Sequence, residues 1–176
     1  ILGALIVVQL GAVIVLSAMI DKMTAMTATT IFMGYAALTG VTLSSIFVIY
    51  TSSSITSAFL VTSLTFASMS AYGYTTKRDL TAMGSFMFMG LIGIIIASVV
   101  NLWLQSPMIY WVTTYLGVLV FVGLTAWDTQ KIKNMNIIGN EGTDEDTKEA
   151  IVGALSLYLD FINLFLMLLR IMGDRE

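Results

Sequence analysis

The sequence predicts an all-α membrane protein, a polytopic bundle of six spanning helices, on three observations. Its 176 residues are 57% hydrophobic and only 11% charged, whereas soluble domains carry about 25% charged residues. The apolar residues come in consecutive runs of bilayer-spanning length rather than in a one-sided helical stripe. The basic residues between those runs fall in alternate connections only.

The runs, A to F, cover residues 1–20, 27–50, 55–74, 82–104, 108–130 and 150–172, in one transmembrane domain 1–176. Each satisfies the requirement of about 20 apolar residues for a span. Run A begins at residue 1 with no signal peptide before it, and a preceding segment is expected. DKMTAMT separates A from B and TKRDLT separates C from D, while QKIKNMNIIGNEGTDEDTKEA connects E to F. Lys22, Lys77, Arg78, Lys131, Lys133 and Lys148 lie in these three connections. The B–C junction (TSSS) and the D–E junction (QSP) hold no basic residue. The positive-inside rule therefore turns A–B, C–D and E–F to the cytoplasm and leaves the C-terminus outside.

Within the runs, Gly34 and Gly40 in B, Gly84, Gly90 and Gly93 in D, and Gly117 and Gly123 in E predict close helix packing, because small residues let backbones approach in lipid. Trp103, Tyr110, Trp111 and Tyr115 flank the D–E junction as an interfacial aromatic belt. The twelve methionines read as pliable filler. Gln9 and Asn101 read as interhelical hydrogen-bond formers. The acids of NEGTDEDTKEA lack calcium-loop spacing and predict a solvated loop leading into F, with Asp144, Glu145, Asp146 and Glu149 near its positive end.

The chain has no cysteine and no histidine. Disulfides, thiolate chemistry, zinc chemistry and a Ser–His dyad are excluded, and any pH response falls to carboxyl groups. No tightly bound cofactor and no nucleic-acid partner is indicated; the immediate partner is lipid. Three ionisable residues stand within or near the spans: Asp128 in E, and Asp160 and Arg170 in F. A carboxylate at mid-helix costs about 2.5 to 3.5 kcal/mol on insertion scales, so such residues face the bundle interior and are functional candidates. E and F are antiparallel neighbours, and their carboxyls reach a common depth if E continues past the membrane face. Two carboxylates in a low-dielectric site cannot both ionise cheaply and share a proton. Deprotonated, they make a weak site for Ca²⁺, whose remaining oxygen ligands would be carbonyls and water.

The bland alternative has each Asp simply hydrogen-bonding a neighbour to set helix register. Arg170 is ~15 Å along the helix from Asp160, too far to pair with it, and is expected to snorkel outward or to find an acceptor on another helix. Asn163, one turn beyond Asp160, extends its polar face. An aspartate pair also suggests an intramembrane aspartyl protease, but the Gly-x-Gly-Asp context and Pro-Ala-Leu motif are missing, and the only proline is Pro107. An enzyme is not expected.

SLYLDFINLFLMLLRIMG (156–173), FVGLTAWDTQKIKNM (121–135), SAYGYTTKRDLTAMG (70–84) and LTGVTLSSIF (38–47) resemble the Bax inhibitor-1 family (TMBIM, YccA/YetJ-like), bacterial inner-membrane branch. The resemblance spans the whole chain. It implies a seven-helix fold with the last helix, F, packed centrally and the first family helix absent here. By motif match, Asp128 and Asp160 take the places of a pH-sensing aspartate pair that controls a Ca²⁺ leak across the inner membrane, with Ca²⁺ as the transported ion. Arg170 matches the family arginine ending the last helix. The position of a family glutamate on the second helix holds Gln9, and a basic latch for the sixth-helix aspartate falls near Lys22. The rival implication is a non-conducting regulator, binding a membrane quality-control protease or modulating stress responses.

Overall fold

The computed structural model describes residues 2–135 and 141–175, and among these every long element is a helix. α1 (Leu2–Met19) ends in a 3₁₀ turn, Ile20–Lys22. α2 (Ala25–Leu43) is followed by the single turn α3 (Ile46–Ile49). Four long helices complete the chain: α4 (Ser52–Thr75), α5 (Thr81–Leu104), α6 (Pro107–Met135) and α7 (Asp144–Met172). Runs A to F correspond in order to α1, α2 with α3, and α4 to α7. Five of these, α2–α3 and α4 to α7, are long and apolar enough to cross a membrane.

Local chemistry sets the ends. Thr24, Thr51 and Thr143 each accept from the backbone N–H three residues on, capping α2, α4 and α7. Pro107 occupies the first position of α6, where its missing N–H costs nothing. α5 stops at Gln105, which takes the left-handed conformation. Run C is rich in Ser and Thr yet helical throughout, because hydroxyls return to their own helix: Thr56 donates to the Ser52 carbonyl, Thr62 to Ala58 and Ser68 to Leu64.

One expectation is corrected and two runs are refined at their ends. Run B is one helical span from Ala25 to Ile49, tightened at Ser44 and Ser45, whose hydroxyls donate to the Val41 and Thr42 carbonyls. Run E extends as helix to Met135, past Lys131 and Lys133. The acidic stretch from Asp144 onward is the first turns of α7, not loop, its carboxylates at the positive end of the helix. Residues 136–140 of the E–F connection lie outside the described residues.

α7 is the axis. Its Ile151 and Leu155 pack with Leu16, Ala28 and Tyr35. Its Phe165 and Leu169 pack with Ile46, Tyr50 and Ala58, and its Leu164 with Ile94, Val120, Phe121 and Leu124. All three apolar clusters thus share this helix, as expected of a central last helix. The outer faces carry large exposed apolar side chains, Phe47 and Trp103 among them at 66% and 77% exposure, a surface suited to hydrocarbon. The Tyr110, Trp111 and Tyr115 rings touch in series beside the α5–α6 junction.

Only part of the glycine reading holds. A Cβ on Gly84 would collide with Trp127, on Gly117 with Met167 and on Gly123 with Met87, and on Gly90 it would press on Val120 at 3.1 Å. Gly34, Gly40 and Gly93 meet nothing within 4 Å. Two further glycines, outside those that predict close packing, also mark close approaches: Gly73 lies against the Ala126 carbonyl and Gly153 against Ile132.

Candidate functional site

Two glycine contacts set the register of antiparallel α6 and α7. Met167 fits over Gly117, and Ile132 over Gly153. Interpolation puts Asp128 within about one helical turn of Asp160, which is possible because α6 continues past Lys131. Both aspartates are buried, Asp160 to 4% exposure. The Asp160 carboxyl stands within interaction range of the Asp128 carboxyl and the Lys131 ammonium. Its Oδ2 receives no donor among the described residues. A buried acceptor left in that condition normally costs about 1 to 3 kcal/mol, so the arrangement demands a proton or a cation.

Lys131, one turn after Asp128, places its ammonium 2.6 Å from Asp128 Oδ1 and 3.8 Å from the centre of the Trp127 ring. Its side chain is 43% exposed, so the pair stands between cavity and surface. Asp128, Lys131 and Asp160 all line an open-sided cavity of about 720 Å³ between α1, α2, α5, α6 and α7. Its walls are mostly apolar. Among the described residues no group of three or more His, Cys, Asp or Glu side chains gathers. A hard cation in this cavity would find two carboxylates, one of them already paired with Lys131, and otherwise neutral oxygens, a set that would bind Ca²⁺ weakly.

The other candidates disperse. Asn163 lines the same cavity and donates to the Leu159 carbonyl at 2.8 Å. Arg170 is exposed in the last turn of α7, its guanidinium 5.5 Å from the Tyr110 ring centre. Lys22 is exposed in the turn after α1, level with the start of α7 and ~18 Å along the bundle from the depth of Asp128. The cation on Asp128 is therefore Lys131, not Lys22. Gln9 donates to Thr42 Oγ1 at 2.8 Å and joins α1 to α2, as interhelical bonding predicts. Asn101 does something else: it accepts from the Ser106 N–H and closes the α5–α6 turn.

Gln130, overlooked in the sequence, is buried beside the site. It accepts from the Leu80 N–H and donates to the Arg78 carbonyl, both at 2.8 Å, stapling the α4–α5 loop to α6. Its only sequence signal is an amide two residues after an intramembrane Asp. Lys131 could have been found from its i, i+3 spacing to Asp128.

The family model described as inhibitor of apoptosis-promoting Bax1 matches residues 1–176. The chain is 61% identical over 173 residues to the inner membrane protein YbhL of Escherichia coli, covering 98% of this chain and 74% of that protein. It is 51% identical to an uncharacterised protein of Borreliella burgdorferi, covering 98% and 75% of the two chains. An uncharacterised protein of Rickettsia prowazekii is 53% identical over 156 residues, 88% of this chain and 65% of the relative. A match along the entire chain, on a bundle wound about its last helix, makes this polytopic membrane protein a member of the Bax inhibitor-1 family.

Proposed function

We propose that this protein is a pH-sensitive cation leak of the bacterial inner membrane, with Ca²⁺ as the principal ion and the Asp128–Asp160 pair as its gate. The observation that carries the reading is the buried, donor-free Asp160 oxygen facing Asp128 and Lys131 in one cavity. The inner-membrane location follows the name of its relative YbhL, and the orientation follows the distribution of basic residues.

In the closed form Asp128 is ionised and neutralised by Lys131, while Asp160 keeps a proton. The site is then electrically neutral and hydrocarbon tolerates it. Loss of that proton leaves one uncompensated negative charge in a low-dielectric setting, where it repels the neighbouring carboxylate and attracts a cation. Lys131, half in solvent, can swing off Asp128 and free both carboxylates for the passing ion. With few charged ligands the ion is held weakly and can leave, as conduction requires.

The test is Ca²⁺ entry into liposomes loaded with a Ca²⁺-sensitive dye, across a range of pH. Asp160→Asn should abolish the pH dependence. Lys131→Met should move the midpoint to higher pH by up to about one unit, because the pair loses the cation that favours its ionised form. Absence of flux at every pH, or an unchanged pH profile in Asp160→Asn, would sink the proposal. Normal flux through the variant together with lost co-purification of a membrane protease would favour the regulator instead.

A further inference from the structure

Parallel helices α2 and α7 are held in register at their starts, where the Ala25 N–H donates to both Asp144 carboxylate oxygens at 3.2 Å. At their far ends Ile46 and Tyr50, which follow α2, pack against Phe165 and Leu169. Depth along one helix therefore reads directly onto the other. Thr39 and Asp160 fall ~21 and ~24 Å from those starts, and Thr42 and Asn163 ~26 and ~28 Å. Gln9, bonded to Thr42, joins the deeper level. One turn beyond the carboxyl pair, the mostly apolar cavity thus acquires a second polar level, formed by Gln9, Thr42 and Asn163.

The hydrogen bonds orient both amides. Thr42 Oγ1 donates to the Leu38 carbonyl, so towards Gln9 it can only accept, and the Gln9 amide must present nitrogen to it. Asn163 must likewise present nitrogen to the Leu159 carbonyl. A donor on each side chain is committed to protein, and among the described residues nothing donates to either carbonyl oxygen. An amide whose nitrogen is tied down while its oxygen stays unclaimed is a neutral ligand for a hard cation.

We infer that the Gln9 and Asn163 carbonyl oxygens form a second, uncharged cation station one turn beyond Asp160, through which a hard cation passes to or from the carboxyl pair. This deepens the leak proposed above and rests on it. Two stations in series allow an ion to be handed on, and a neutral station binds too weakly to trap it. The division of labour is clear: the carboxyl pair sets the pH at which the path opens, and the amide level sets how fast and how selectively ions cross it.

Gln9→Leu and Asn163→Leu proteins, reconstituted in phosphatidylcholine–phosphatidylglycerol vesicles, should each pass Ca²⁺ roughly tenfold more slowly, the lower end of losses seen when support around a metal is removed. Their pH midpoints should match wild type. Asn163→Ser, which keeps an oxygen, should recover part of the rate, and Asn163→Asp should raise the preference for Ca²⁺ over K⁺. Tb³⁺ titration, read by tryptophan-sensitised luminescence, reports binding without flux and should weaken in the Gln9→Leu, Asn163→Leu double variant. Unchanged rates in both Leu variants overturn the station. If wild-type vesicles admit no Ca²⁺ at any pH, the gate proposal falls first; identical Tb³⁺ titrations of wild type and double variant then overturn the station as well.

Discussion

The seam formed by α4, α6 and α7 and the hairpin formed by α1 and α2 use the same kinds of residue in opposite ways. Along the seam, glycines are places of contact: Gly73 on the Ala126 carbonyl, Gly117 on Met167, Gly153 on Ile132. In the hairpin, Gly11, Gly34 and Gly40 face open space. The hairpin is held instead by large side chains, Leu16 and Tyr35 against Ile151 and Leu155, and by single polar ties, Gln9 to Thr42 and Ala25 to Asp144. A glycine in a membrane helix thus marks close approach only where a neighbour arrives. The consequence for the site is direct. Asp128 and Asp160 are mounted on the tight seam, which fixes their spacing, while the cavity they face is walled on its other side by the looser hairpin. The wall with fewer contacts is the one that local opening moves first.

The largest expected effect breaks the seam. Gly73→Leu drives a side chain into backbone that cannot step aside, and should destabilise the protein by about 1 to 3 kcal/mol, seen as a lower unfolding temperature in detergent. Gly84→Leu, on α5 beside the seam and pushed into the Trp127 ring of α6, should behave alike. An unchanged melt for both would dissolve the contrast between seam and hairpin.

Smaller is the loss at the tie between α2 and α7. Asp144→Ala removes the acceptor for the Ala25 N–H, and its partly exposed setting limits the cost to about 0.5 to 1.5 kcal/mol. Hydrogen exchange should quicken at the start of α2 more than in α6. Equal acceleration in both would mean that hairpin and seam open together.

Gly34→Ala and Gly40→Ala should stay within about 0.5 kcal/mol of wild type, since an added methyl meets nothing. A marked destabilisation at either would reveal a neighbour in the assembled protein.

The weakest effect lies outside the spans. The Thr81 hydroxyl and N–H donate to Asp79 at 2.6 and 2.9 Å and hold its carboxyl below the usual carboxylate range. A carboxyl depressed on folding stabilises above its unfolded pKa, and that contribution is lost as pH falls through the folded value. Thr81→Val should raise the Asp79 pKa, followed by carboxyl NMR, and slightly flatten the acid limb of the stability curve. No movement of the resonance would mean that the hydroxyl contact is not maintained in solution.

How far was this arrangement legible beforehand? The spans were readable because hydrocarbon punishes any polar interruption, so apolar run length maps almost directly onto helix. The ends were less so: the acidic turn Asp144–Asp146 and the extension to Met135 are helical because Thr143 caps one and α7 packs along the other, and polarity alone suggested loop. The aspartates were conspicuous for their cost in lipid. Lys131 and Gln130 were not, since a lysine or an amide at the end of a span is ordinary until its partner is known.

From sequence alone came the membrane class, the helix order and the two acids that hydrocarbon would not accept without cause, because each follows from the free energy of transferring residues out of water. Contacts between helices follow a different rule. Which glycine is pressed, which cation holds Asp128 and which amides look into the cavity depend on the register of α6 on α7 and of α2 beside it. That register is settled by side-chain shape at distant points such as Gly117 and Gly153, and no local pattern carries it.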